Sequence, residues 1–315
     1  MKRLPIMIIC VGLLATACGT DNAGSLGPAP AGTTRSSNPA PAGVTRPSGS
    51  SSTPGARPTM ASQSQSGQQP TPAPPVRALP REIGLQVWFT RQGKLFVTGR
   101  AVPATVSVGR AAVDRLLAGP SAAEYAAGLR SQIPAGTTLR GLRISSGIAT
   151  VDLSRSFESG ASASTMPLRL AQMVYTLTQF PTVSGVRFEI NGQGVTLIGG
   201  VPVQSPQTRA MDSGYLPAIT VRSPVIGQEV TSPVAVSGTA DVFEATVSVR
   251  VLDSAGHEIA RTFTTATCGT GCRGDYSVPV SYSVPRTEHG TIEVYESSAK
   301  DGRPVNVQQI PVTLS

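Results

Sequence analysis

Thr165-Met166-Pro167-Leu168-Arg169-Leu170-Ala171-Gln172-Met173-Val174-Tyr175-Thr176-Leu177-Thr178-Gln179-Phe180 decides how the middle of this 315-residue chain folds. Leu170, Met173, Val174 and Leu177 recur at i, i+3, i+4 and i+7, so they share one stripe of a helix over 165–180. Pro167 falls in the first turn, where its missing N–H removes no intrahelical bond. Such a stripe must be buried against a sheet, and β-type runs lie on both sides of it. Val186-Arg187-Phe188-Glu189-Ile190 and Val195-Thr196-Leu197-Ile198 flank Asn191-Gly192-Gln193-Gly194 and predict a closing hairpin. Leu139, Leu142 and Ile144, then Ile148, Val151 and Leu153, joined at Ser145-Ser146-Gly147, predict another.

Further toward the N-terminus, Leu85-Gln86-Val87-Trp88-Phe89 and Lys94-Leu95-Phe96-Val97-Thr98 predict two short strands about a Gly-containing turn. Residues 104–108 are expected to continue that sheet. Over 110–118, Val113, Leu116 and Leu117 share a helical face, and Gly119-Pro120 supplies the stop. Residues 81–202 therefore predict an α/β (α+β) module with two helices covering one sheet.

The order Leu116-Leu117-Ala118-Gly119-Pro120, Ile133-Pro134-Ala135-Gly136-Thr137, Gly147-Ile148-Ala149-Thr150-Val151-Asp152-Leu153, Tyr175-Thr176-Leu177-Thr178-Gln179-Phe180-Pro181, and the run from Val186 to Gly192 resembles the GerMN domain of bacterial sporulation and germination lipoproteins. The resemblance covers about 82–200. It implies a small α/β module similar to the ring-building motifs of sporulation secretion complexes, without known catalytic residues.

Residues 203–217 are polar, contain Pro206 and Gly214, and read as a connector. Residues 218–315 carry about seven strand candidates separated by Gly and Pro turns: 219–222, 234–237, 246–252, 258–265, 276–284, 291–295 and 305–314. Val247, Val249 and Val251 alternate with Ser248, Arg250 and Leu252 as in a half-buried strand. This is the pattern of an all-β immunoglobulin-like sandwich. Ile219-Thr220-Val221-Arg222-Ser223-Pro224, Val234-Ala235-Val236-Ser237-Gly238-Thr239-Ala240, Phe243-Glu244-Ala245 and the valine-rich last strand resemble the Gmad-type immunoglobulin-like domain associated with spore germination.

The N-terminus reads as an export signal over 1–17. Lys2 and Arg3 precede an apolar run over 4–14, too short to span a bilayer as a helix. Leu14-Ala15-Thr16-Ala17-Cys18-Gly19 resembles the bacterial lipobox, which implies a diacylglyceryl group on the Cys18 thiol and cleavage before it. Ala15 stands where that motif usually has Leu, and ordinary secretion after Ala17 is the alternative. The implied location is the extracytoplasmic face of the cell membrane. Residues 18–80 hold 12 of the 27 prolines after Gly19 and lack Ile, Phe, Trp and Tyr there. Such a segment cannot bury enough apolar surface to order itself, so a disordered tether is expected, with a root-mean-square span of about 45 Å. Its Ser, Thr and Pro content also permits O-glycosylation.

The formal charge of +8 comes largely from outside the folded part. Residues 81–315 hold 20 basic and 17 acidic side chains and no basic cluster interleaved with aromatics, which argues against nucleic acid as a partner. The expected partners are the membrane through the anchor, envelope proteins or further copies of the chain, and peptidoglycan as the alternative. Aromatic residues make up 4% of the chain and Trp88 is its lone tryptophan, so platforms for glycan are scarce, and Trp88 is expected in the core.

Cys268-Gly269-Thr270-Gly271-Cys272 favours a disulfide in an exported protein. A zinc site would need further ligands, and only His257 and His289 are present; a redox pair would more usually be Cys-x-x-Cys. Arg273-Gly274-Asp275 matches an integrin-binding tripeptide but reads as a turn in which Gly274 supplies backbone freedom. There is no Gly-x-Ser-x-Gly elbow, phosphate loop or His-Glu-x-x-His. Asp152 and Glu158 are the carboxylates considered for acid/base work, with solvated surface charge as the plainer reading. The chain is thus expected to be no enzyme, to hold no cofactor or metal, and to work by binding. Replacing Cys18 with Ala is expected to move the protein from the membrane fraction to the soluble fraction with its melting temperature unchanged, as fractionation and thermal denaturation would show.

Overall fold

The computed structural model describes residues 81–315; the signal 1–17, Cys18 and the tether to residue 80 lie outside the described residues. The first module runs β1 (Glu82–Arg91), β2 (Lys94–Pro103), α1 (Val108–Leu117), α2 (Ala122–Ala126), β3 (Leu139–Ser145), β4 (Ile148–Leu153), α3 (Met166–Leu177), β5 (Gly185–Ile190), β6 (Gln193–Gly194), β7 (Leu197–Ile198) and β8 (Val201–Pro202). Four strands form one sheet in the order β3-β4-β5-β6. β4 and β5 are parallel, so a crossover must join them, and α3 is that crossover. β1 and β2 form a separate antiparallel hairpin, and β7 pairs with β8.

The helices therefore lie between two sheets. Leu170, Met173, Val174 and Leu177 are buried as their spacing requires, in a cluster with Val151, Leu153, Val186 and Phe188 of the four-stranded sheet. On another face of α3, Ala171 and Tyr175 pack with Trp88, Leu95 and Val97 of the hairpin. The sequence differs from this picture in three places. Residues 104–107 leave the sheet, and Val108 opens α1 instead of extending a strand. The helix α2 has too few residues to show a period; it is fixed by Ser121, whose hydroxyl accepts from the Glu124 amide while Glu124 reaches back to the Ser121 amide. The closing hairpin is two residues long, because β6 ends at Gly194 and Leu197-Ile198 turns away to β8. Its turn is made at Asn191 and Gly192, both at positive φ, as a tight two-residue turn demands.

One edge of β1 pairs with β2. Its other edge, the backbone of Gln86, Trp88 and Thr90, would be left bare without partners from outside the sheet. Gln179 accepts from the Gln86 amide at 2.8 Å and donates to the Gln86 carbonyl at 2.7 Å. Gln172 donates to the Trp88 carbonyl at 2.9 Å, and the Thr176 hydroxyl accepts from the Trp88 amide at 3.2 Å. Thr90 exchanges both backbone bonds with Arg130 at 2.8 Å. Gln172 and Thr176 lie one turn apart on α3 and together serve Trp88, and Gln179, just past the end of the helix, serves Gln86. Arg169, also buried, extends this polar set by donating to the carbonyls of Gln132, Phe157 and Ser159.

The second module contains β9 (Ile219–Ser223), β10 (Glu229–Val230), β11 (Val234–Ala240), β12 (Thr246–Leu252), β13 (Glu258–Thr265), β14 (Gly274–Val280), β15 (Glu288–Ser297) and β16 (Pro304–Leu314). They form two sheets, β10-β16-β15-β12-β13 and β14-β11-β9, with Val236, Val247, Val249, Val251, Ile292 and Val294 between them. This is the immunoglobulin-like sandwich. Gln172→Ala leaves the amide of Gln132 and the carbonyl of Trp88 without partners in a buried site. That change is expected to cost about 2–4 kcal/mol, read by urea denaturation of the full chain.

Candidate functional site

The two modules meet along the hairpin and α2. Arg91, at the end of β1, lies 4.3 Å over the Phe96 ring and donates to the Gln309 carbonyl and Gln308 Oε1 of β16, each at 2.9 Å. Burial lowers the pKa of this guanidinium, which has neutral acceptors at both amino groups. Gly99 of β2 faces Val225 across the seam. Buried apolar side chains of both modules belong to one contiguous cluster, and residues 81–315 fall in a single compact unit.

Residues 203–217 are not a loose connector. Gln207 pairs its backbone with Val186, which prolongs the edge of β5. Arg209 folds onto α3: its Nε donates to Thr178 Oγ1 at 2.6 Å, an amino group donates to the Tyr175 carbonyl at 3.0 Å, and its guanidinium lies 4.7 Å from the Tyr175 ring. The Tyr175 hydroxyl donates in turn to the Arg209 carbonyl at 3.3 Å. Trp88 packs under this layer, 4.9 Å from Tyr175, so its place is the core as expected from sequence. Lys94 Nζ donates to the Gly214 carbonyl at 2.7 Å.

Beside the seam runs a cleft of about 600 Å³. Ala123 and Ala126 of α2 form one wall, and Ile226, His289, Gly290 and Pro311 of the sandwich form the other. Its lining is mainly apolar, with Asp253 and Thr313 adding polar groups. The cleft keeps its shape because α2 is anchored from below. Glu124 is 2% exposed and binds Arg100 Nη1 at 2.7 Å and Thr98 Oγ1 at 2.6 Å. Burial by itself raises the Glu124 pKa, but the bonds from Arg100, Thr98 and the Ser121 amide outweigh it and hold the carboxyl below the ordinary glutamate value.

The other sequence candidates are dispersed. Asp152, on β4, accepts from the Gly192 amide of the β5–β6 turn at 2.8 Å, while Glu158 faces Arg155 three residues away at 3.5 Å, so each carboxylate has a structural partner of its own. Cys268 and Cys272 are joined in a disulfide with Cα atoms 5.5 Å apart. Among the described residues no group of three His, Cys, Asp or Glu side chains converges as metal ligands, and no helix is long and apolar enough to cross a membrane. Arg273-Gly274-Asp275 is built into the sandwich rather than displayed as a free turn. Arg273 donates to the Pro217 carbonyl at 2.6 Å and to Ala218 and Thr239, and Asp275 meets Arg222 at 2.7 Å. Gly274 is required by close approach, not by backbone freedom: a Cβ there would stand 2.1 Å from the Cys268 amide nitrogen.

Sequence patterning missed Asp212, which is 2% exposed. Its Oδ1 accepts from Gln207 Nε2 at 2.9 Å, and its Oδ2 has no partner among the described residues, as is also true of Trp88 Nε1. Burial pushes the Asp212 pKa up to about 6, against the lowering effect of Gln207. A carboxyl that holds its proton more tightly when folded stabilises the fold at low pH and loses that contribution as pH rises through about 4 to 6. Glu124 has the opposite sign, so its contribution is present above the ordinary glutamate pKa and lost as pH falls below it. Asp212→Asn is therefore expected to flatten the decline in melting temperature between pH 4 and 6. Glu124→Gln is expected to lower stability by roughly 2–3 kcal/mol at pH 7, with the deficit shrinking below pH 4. Thermal denaturation across pH 3–8 checks both.

Two protein families match the chain. One, described as sporulation and spore germination, matches residues 86–196. The other, described as the immunoglobulin-like domain of bacterial spore germination, matches residues 218–303. Neither description names a reaction. Among solved structures, the first GerMN domain of the sporulation protein GerM from Bacillus subtilis is 24% identical, with a TM-score of 0.36, over 41% of this chain and 98% of that one. The tandem GerMN domains of the same protein are 16% identical, TM-score 0.36; the match spans 65% of this chain and 63% of that chain. A putative lipoprotein from Clostridium perfringens is 24% identical over 38% of this chain and 81% of its own, with a TM-score of 0.28. No curated protein matches the sequence.

Proposed function

Since this chain carries a GerMN domain followed by a Gmad-type immunoglobulin-like domain, we propose that it is a non-catalytic lipoprotein of the bacterial cell envelope, anchored through Cys18 and acting as a binding scaffold. The export signal and lipobox-like sequence support the anchor, and the Pro/Ser/Gly-rich stretch to residue 80 supports reach away from the bilayer. The observation that carries the scaffold reading is the cleft at the seam. Ligand clefts concentrate where domains meet, and here the α2 wall is fixed by Glu124 and Arg100, while Arg91 bonded to β16 holds the neighbouring hairpin against the sandwich that forms the other wall. Mainly apolar walls with a few polar groups suit an apolar anchor side chain from an envelope protein.

A photo-reactive residue at Ala127, which also lines the cleft, tests this in the anchored full chain in its native envelope. The expected result is one or a few defined protein adducts, reduced about tenfold when Ala123→Trp fills the cleft. Adducts to muropeptides alone would replace this reading with the second one, a peptidoglycan-binding module. That second reading is favoured by one observation: Phe263 is 70% exposed on the sandwich, among hydroxyl side chains.

A further inference from the structure

On the outer face of the five-stranded sheet, Phe263, Ser248 and Tyr295 stand side by side across β13, β12 and β15. Strands are about 4.8 Å apart, so the two aromatic residues are separated by roughly 10 Å with a serine between them. A serine is far smaller than its neighbours, and the row is notched at its centre. The resulting open cleft of about 550 Å³ is also lined by Thr246, Thr262 and Ser297. Phe263 belongs to β13, the strand at the sheet's edge, and its ring is largely in solvent.

Charge narrows the choice of occupant. Arg261, which borders the notch, is held by Glu258 through two bonds of 2.8 and 2.7 Å. Arg250, on the neighbouring row, is bound to Glu293 at 2.7 Å, and Glu293 also accepts from Gln309 at 2.8 Å. These cations are already paired, so a phosphate or an acidic peptide would have to displace carboxylates. The hydroxyls are less committed. Ser248 and Ser297 face each other at 3.4 Å, and Thr246 Oγ1 donates to the Glu244 carbonyl while its lone pairs remain available. An exposed apolar ring, hydroxyl oxygens with lone pairs to spare and neutralised charges match a neutral polyhydroxylated ring, which has an apolar C–H face and hydroxyls around its rim.

We propose that this notch binds the sugar rings of a neutral glycan: the C–H face of a pyranose packs on Phe263, and its hydroxyls bond Ser248, Thr246 and Ser297. The inference rests on the second reading of the function and places wall binding on the sandwich, not on the GerMN domain.

The test uses the full chain in detergent, with two probes: purified peptidoglycan sacculi in a pelleting assay, and a soluble β-1,4-linked N-acetylglucosamine trimer in calorimetry. Phe263→Ala removes the platform, Ser248→Leu fills the notch without touching the exposed ring, and Leu197→Ala, exposed on the other module, is the control. The proposal expects saturable binding that falls at least roughly tenfold in both notch variants and is unchanged in the control. Loss with sacculi only identifies the polymer as the ligand, and loss with both probes extends it to free oligosaccharide. Wild-type binding that neither notch variant weakens would overturn the notch and leave wall binding standing. No wild-type binding to either probe would overturn both. Self-association that disappears in Phe263→Ala, without sugar binding, would assign the edge to a second copy of the chain.

Discussion

The fold depends on how the free edge of β1 is satisfied. A two-stranded hairpin is marginal alone, and a bare strand edge buried against a helix would leave backbone donors and acceptors unpaired at a cost of about 1–3 kcal/mol each. Gln172, Thr176 and Gln179 remove that penalty by acting as a third strand made of side chains. They hold the hairpin on α3 while the apolar face of α3 holds the four-stranded sheet. Because Arg91 at the tip of the same hairpin bonds β16, the hairpin is also the piece through which the GerMN domain is joined to the sandwich.

From that joint the candidate sites acquire their geometry. The seam cleft exists because α2 is pinned through Glu124 to Arg100 on the outer strand of the hairpin, with the end of the sandwich held opposite. Arg209, from within the segment 203–217, ties it to the end of α3, and Arg273 of the sandwich holds its last residue, Pro217. Two modules with separate folds thus act as one body. A ligand in the seam would touch both, whereas a ligand at Phe263 would engage the sandwich alone.

Much of this architecture was legible in the sequence where burial follows a period. The stripe through Leu170, Met173, Val174 and Leu177 is buried, and Val247, Val249 and Val251 point into the sandwich. What escaped patterning is polar or non-periodic. Gln172 and Thr176 are fully buried, yet in sequence they look like the solvated side of α3, since only the strand they serve explains them. Asp212 reads as a loop carboxylate in a polar connector until Gln207 and the backbone bridge to Val186 fold that segment inward. Gly274 looked like a turn residue because nothing local reveals that the Cys268 backbone passes against it. Trp88, the lone tryptophan, is buried, while Phe263, an ordinary strand residue by pattern, has its ring in solvent.

The claim that the hairpin welds both domains into one body is tested most directly by a pulsed-dipolar distance measurement. Spin labels would be placed at Leu197 on the first module and Phe263 on the sandwich, both exposed. The account predicts a single narrow distance distribution that broadens when Arg91→Ala removes the bonds to Gln308 and Gln309. A broad distribution in the unmodified interface, unchanged by that substitution, would contradict it.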